Sequence, residues 1–270
     1  MKKRLIIFLS LFTIHYSLFT APFLLVACAK HDPILPGVRT DVFDTGNAAI
    51  VNQPIPDGVL QMPLAAAQSE SSAVSYIQDS DNIVWSVAPD GTKTRIFSGL
   101  ATTSRVGGTR TPVAAGGFVY AGLSTGELVK INPKTRAPVW IADVYKPAAF
   151  TGGAPIMDIV APIQIVGDAV FAGGIGDAFC KMTAQSGKIV WCADVGTGVP
   201  FILAGGAAFV SGTDNTLYAI NLKDGTIWWT ATTKVQAAPI LTQTSDGVYH
   251  ISVGKEKFVA TTGAAEKIKS

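Results

Sequence analysis

One stretch of 25 residues occurs three times without a gap: GGFVYAGLSTGELVKINPKTRAPVW from Gly116, GDAVFAGGIGDAFCKMTAQSGKIVW from Gly167 and GGAAFVSGTDNTLYAINLKDGTIWW from Gly205. A repeat of this size is one supersecondary unit that buries its apolar face only by stacking on its neighbours. Function then belongs to the assembled surface.

Each repeat divides into the same pieces. An X-Pro step (Thr111-Pro112, Ala161-Pro162, Val199-Pro200) precedes a short apolar run. Proline lacks the ladder donor and suits a strand start or an edge, so the first strand of each unit reads as an inner edge. Alternating runs over 118–122, 169–173 and 207–211 read as second strands. Turns at Gly126, Asp177 and Asn215 lead to third strands over 128–131, 179–182 and 217–220. Polar turns such as Gln185-Ser186-Gly187 and Lys223-Asp224-Gly225 close hairpins, and the fourth strands end on Trp140, Trp191 and Trp229. Four short antiparallel strands per unit make an all-β propeller blade. A ring that recurs at one repeat position packs between neighbouring blades; stacking on a substrate is the alternative.

Two weaker units flank the clear three, giving five legible blades. Tyr76 to Thr94 fits the register, with Ile96 in place of the tryptophan, and Ala238-Pro239 opens a last unit with strands at 248–252 and 258–261. The fourth strand of that unit is missing, and an open edge invites unwanted pairing. Residues 47–52 are expected to supply it and close the ring.

Cys180 and Cys192 lie about equally far from the centre of the 185–187 turn. They read either as a cross-strand disulfide, which an oxidising compartment permits, or as two small buried apolar residues.

The N-terminus has Lys2, Lys3 and Arg4 followed by an apolar stretch to Ala27, then Cys28. Leu25-Val26-Ala27-Cys28 resembles a bacterial lipobox, in which Cys28 becomes the acylated first residue; a membrane-spanning anchor or an ordinary secretory signal is the alternative. Acyl chains give a reason for a cysteine here. Ala29, where that pattern places Asp for inner-membrane retention, implies the outer membrane. The chain thus divides into a lipoprotein signal peptide (1–27), an acylated cysteine and tether (28–60) and a propeller domain (61–270). The remaining 18 Lys and Arg stand against 19 Asp and Glu, and near-neutral charge argues against a nucleic-acid partner.

The blades, the lipobox and the segment HDPILPG from His31 together resemble the BamB family of outer-membrane β-barrel assembly lipoproteins, within the wider pyrroloquinoline-quinone-type repeat group. The resemblance implies a non-catalytic scaffold on the periplasmic face of the outer membrane. It implies binding to the core barrel-assembly subunit and its complex through loops on one propeller face, and assistance to unfolded outer-membrane proteins. The loop from Ala154 to Pro162 is similar to an acidic inter-blade loop of the family, which makes Asp158, with Ile159, the expected partner contact. A solvated loop carboxylate is the alternative for Asp158. Arg105 lies near the family's basic contact position, with a spacing that departs from it. The family's ring has eight blades, so this chain is a shortened version. A generic periplasmic propeller binding a peptide or glycan is the rival reading, because a fold alone does not set function.

Quinone-enzyme chemistry, which shares the repeat, uses adjacent cysteines in the family as known; Cys28, Cys180 and Cys192 include no adjacent pair. Outside the leader and tether His250 is the one histidine, with no metal-ligand spacing around it. Asp79, Asp81 and Asn82 lack the glycine and distal glutamate of a calcium loop and read as a hairpin turn. No cofactor, metal or catalytic residue is expected.

Overall fold

The computed structural model describes residues 49–63, 74–103, 105–106, 110–145 and 156–266. Residues 42–270 group as one compact unit. The described strands form five antiparallel sheets, each from consecutive segments. Sheet 1 comprises β1 (Ser75–Gln78), β2 (Ile83–Val87) and β3 (Lys93–Ser98). Sheet 2 comprises β4 (Val113–Ala115), β5 (Phe118–Gly122), β6 (Glu127–Asn132) and β7 (Ala137–Asp143). Sheet 3 follows with β8 (Gln164–Val166), β9 (Ala169–Gly173), β10 (Phe179–Thr183) and β11 (Ile189–Ala193). Sheet 4 holds β12 (Ile202–Ala204), β13 (Ala207–Ser211), β14 (Thr216–Asn221) and β15 (Ile227–Thr232). Sheet 5 holds β16 (Ile240–Gln243), β17 (Tyr249–Val253), β18 (Glu256–Val259) and β19 (Ala265–Glu266). These are the blades of a β-propeller.

The middle strands of sheets 2, 3 and 4 are apolar on both sides because each of these sheets lies between two others. Val119, Ala121, Val129 and Ile131 of sheet 2 join Val84 and Ile96 of sheet 1 in one buried cluster. Their alternating neighbours Tyr120, Leu128, Trp140 and Ala142 point the other way, to Val170, Cys180 and Met182 of sheet 3. The period of two thus divides one strand between two interfaces. Further clusters join sheet 3 to sheet 4 and sheet 4 to sheet 5. Among the described residues no cluster joins sheet 5 to sheet 1.

The repeated tryptophans seal these interfaces. Trp140, Trp191 and Trp229 are each less than a tenth exposed. Each ring lies against the glycine of the next sheet's last turn: a Cβ on Gly187 would stand 2.6 Å from Trp140, on Gly225 2.8 Å from Trp191, and on Gly263 2.5 Å from Trp229. The Nε1–H of Trp140 donates to Ala184 O at 3.1 Å, and that of Trp191 to Leu222 O at 3.2 Å. Lys130 and Lys181 donate to the same two carbonyls. At the corresponding turn of sheet 2 stands Arg136, in the left-handed region at φ 56°, where the last strand of the preceding sheet has no tryptophan and carries the buried Ile96. Glycine is therefore demanded by the stacked indole more than by the turn. The tryptophans lie within their strands, which continue beyond them to Asp143, Ala193 and Thr232.

Two expectations about closure need correction. Sheet 5 has its own fourth strand, Ala265–Glu266, paired with Lys257 and Phe258. The N-terminal segment goes elsewhere: Ile50 bridges Ile227 of β15 in parallel. Val51 N–H donates to Ile227 O at 3.0 Å, Gln53 N–H to Trp228 O at 2.8 Å, and Ile227 N–H to Ala49 O at 3.2 Å. The chain continues across sheet 5, where Ile55 N–H donates to Thr261 O, and returns to Gly206, whose N–H donates to Val59 O. Ile55 and Leu60 are buried in the cluster between sheets 4 and 5. Residues 49–60, expected within a tether, form a strap over these two blades. Aliphatic burial and free strand edges hold it there; residues 47 and 48 lie outside the described residues.

Cys180 and Cys192 are register partners on β10 and β11. They are joined as a disulfide with Cα atoms 4.1 Å apart.

Candidate functional site

The turns between second and third strands share one face with the blade-to-blade connections, and backbone hydrogen bonds lock them together. Three of the four connections first bond the turn of the blade they leave: Gly99 N–H to Asn82 O, Val144 N–H to Gly126 O, Thr233 N–H to Asn215 O. A connection is then gripped by the next blade's turn, as Ile175 N–H donates to Asp158 O and Thr213 N–H to Gly196 O. Asn82, Asp177 and Asn215 hold these turns at φ 61°, 54° and 59°; short polar side chains tolerate that region best.

Asn82 is wholly buried. Its Oδ1 accepts from Ser124 N–H at 2.9 Å and Ser124 Oγ–H at 2.8 Å, and its Nδ2 donates to Leu100 O at 2.7 Å. Gln78 Nε2 donates to Gly122 O beside it. Asp79 accepts from Trp85 Nε1, Ile83 N and Asp81 N, each at 3.0 Å. Burial works to raise its carboxyl, yet these donors together hold it below the usual carboxylate range. The 79–82 run is a hairpin turn, as its spacing implies.

Asp158 occupies a different place from the one its sequence context suggests. It is fully buried, and Oδ2 lies 2.7 Å from Nη2 of Arg110, itself 8 % exposed. The same carboxylate accepts from Val106 N–H. It therefore clamps the connection between sheets 1 and 2 from inside. Ile159 is also buried, in the cluster between sheets 2 and 3. Both side chains lie inside the protein, where an exposed contact is expected from the sequence. The reason is physical: a carboxylate beside Ile159-Val160-Ala161 enters the interior only with a paired cation, and Arg110 supplies one from 48 positions earlier in the sequence. Arg105 is the surface member of the expected set. Its guanidinium donates to Ser80 O and lies 3.1 Å from Asp81 Oδ1, with a third of the side chain exposed. Cys28 lies outside the described residues.

The connections between blades display aliphatic side chains. Leu100 is 73 % exposed, Val106 40 %, Ile156 45 % and Val235 48 %. Glu127 and Asp143 face each other across β6 and β7. Burial, and then the Glu127 charge, raise the Asp143 carboxyl. Tyr218 Oη donates to Asp214 Oδ2 at 2.6 Å, and burial with this bond pushes its phenol up to about 12. Among the described residues no group of three or more His, Cys, Asp and Glu could hold a metal ion. His250 is buried with Nδ1 3.1 Å from Glu266 Oε2. Backbone hydrogen bonds between turns and connections tie the described residues of this face together.

The chain matches a family model described as outer membrane protein assembly factor BamB over residues 43–231 and 162–267. It is 21 % identical over 122 residues to the outer membrane protein assembly factor BamB of Pseudomonas aeruginosa, covering 45 % of this chain and 32 % of that protein. The fold resembles the crystal structure of BamB from Moraxella catarrhalis (TM-score 0.57, 17 % identity), covering 76 % of this chain and 64 % of that one. It also resembles a quinohemoprotein alcohol dehydrogenase from Pseudomonas putida HK5 (TM-score 0.54, 14 % identity), covering 77 % of this chain and 43 % of that enzyme. Identities this low establish the propeller fold alone. The chain spans about a third of the length of the Pseudomonas aeruginosa relative and under two thirds of the Moraxella structure.

Proposed function

The chain belongs to the family of the outer membrane protein assembly factor BamB, and on that premise we propose that it is a non-catalytic, lipid-anchored subunit of outer-membrane β-barrel assembly. It binds the core subunit of that machinery from the periplasmic side and assists insertion of unfolded outer-membrane proteins. Acylation of Cys28 holds it at the outer membrane.

The observation that carries the reading is the connecting-loop face. Leu100, Val106 and Ile156 are exposed aliphatic residues on consecutive connections, with the Arg105 guanidinium between Ser80 and Asp81 on the same side. Exposed apolar side chains with a charged rim suit a protein partner. Asp158 acts beneath this surface: its bonds to Arg110 and Val106 fix the loop that carries Arg105. Affinity capture of the tagged chain from detergent-solubilised outer membranes tests the proposal. The core barrel-assembly subunit is recovered with the native chain, and recovery falls with Arg105→Glu or Leu100→Asp. Recovery of none of the machinery's subunits would falsify it.

A further inference from the structure

We infer that the fourth-strand edge of sheet 3, at Ile189 and Val190, is a second, vacant copy of the strap-binding edge of sheet 4, and that it takes an extended aliphatic peptide segment in parallel register.

Register makes the two edges equivalent. In sheet 4 Ala219 faces Trp229 and Ile220 faces Ile227, so Trp228 is the bulged residue. In sheet 3 Lys181 faces Trp191 and Met182 faces Ile189, which leaves Val190 in that role. In sheet 2 Lys130 faces Trp140 and Ile131 faces Pro138, and Val139 is skipped. The strap uses three backbone groups of this bulge on β15: Ile227 N–H, Ile227 O and Trp228 O. Their counterparts on β11 are Ile189 N–H, Ile189 O and Val190 O. β11 is the last strand of its sheet, so among the described residues no further strand pairs with them.

Exposure separates the covered edge from the vacant ones. Trp228 under the strap is 4 % exposed, while Val190 is 44 % and Val139 46 % exposed. The three edges differ in one donor: Pro138 has no N–H to offer where Ile227 and Ile189 do. Sheet 3 therefore retains the whole hydrogen-bonding pattern and sheet 2 only its carbonyls. The occupant is specified by the strap itself, Ala49-Ile50-Val51-Asn52-Gln53: one carbonyl from Ala49 and two N–H donors from Val51 and Gln53, with Asn52 between the donors in the left-handed region at φ 49° to follow the bulge, and an aliphatic residue further on, as Ile55 is buried beside Trp228. Pairing of this kind draws affinity from the main chain and selectivity from alternate side chains. The site does not depend on the assembly role above.

The test uses the full chain and a fluorescent synthetic peptide spanning Ala49 to Pro56. A photoreactive residue at Val190 captures the peptide, and Ile189→Pro weakens binding about fivefold, the effect of one lost hydrogen bond. That variant folds, because Pro138 already occupies the equivalent place in sheet 2; an unchanged unfolding midpoint checks this. Val190→Trp, which copies Trp228, tightens binding several-fold. Capture at a photoreactive residue replacing Thr230 on β15 with none at Val190, affinity unchanged by Ile189→Pro, or no saturable binding would each overturn the inference.

Discussion

Gly187→Ala separates the two reasons a glycine occupies the last turn of a blade. Gly187 has φ +70°, and an added Cβ would lie 2.6 Å from Trp140 Cδ2, 2.7 Å from Cε3 and 2.9 Å from Cγ. The left-handed backbone costs alanine about 1 kcal/mol. Displacing a buried indole adds overpacking of about 2 kcal/mol, for a total near 3 kcal/mol. Gly91→Ala is the internal control: Gly91 sits at φ +83° with nothing within 4 Å of its added Cβ, so about 1 kcal/mol is expected. Urea unfolding followed by circular dichroism, with the denaturant slope checked for constancy, measures both. Adding Trp140→Ala to Gly187→Ala should reduce the second effect by more than 1 kcal/mol, because the two side chains share one space. Equal losses for Gly187→Ala and Gly91→Ala, or strict additivity in the double variant, would refute interblade stacking as the reason for the glycine.

Asp158→Ala leaves Arg110 buried without its counter-charge and should cost about 3–5 kcal/mol, whereas Arg110→Met with Asp158→Leu should recover most of that loss in the same unfolding assay. Removing the disulfide with Cys180→Ala and Cys192→Ala opens a loop with a separation of 12 residues and should lower stability by about 2–3 kcal/mol; a thermal midpoint insensitive to reductant would contradict this. Tyr218 has its folded pKa raised to about 12 from 10, so the protonated phenol stabilises the fold. That contribution is complete below pH 10 and is lost as pH rises towards 12. Phenolate absorbance should show Tyr218 titrating late, and Asp214→Asn should move it earlier.

The second strands over 118–122, 169–173 and 207–211 stand where period-two alternation places them, and the tryptophans stand between blades as their recurrence implies. Both signals are local, and repetition amplifies them. What escaped the sequence depends on distant partners. The strap is paired with β15, far along the chain, through backbone groups that leave no pattern in side chains. Its visible trace is Trp228, an extra tryptophan at a position where the other repeats carry Val139 and Val190. β19 has two residues, too short for any period to register. Asp158 and Ile159 were legible as a loop of interest and not as a buried clamp, because burial of the carboxylate depends on Arg110 across the fold. An arginine directly before Thr111-Pro112, at the entry to a blade, was the one available hint.

The most direct test of the assembly role is calorimetric titration of the full chain against the purified periplasmic domains of the core barrel-assembly subunit. Saturable binding at one-to-one stoichiometry is predicted, with affinity reduced at least tenfold by Arg105→Glu and left largely intact by Val139→Thr on the β7 edge. An absence of binding heat at several temperatures, or binding indifferent to both Arg105→Glu and Leu100→Asp, would contradict it.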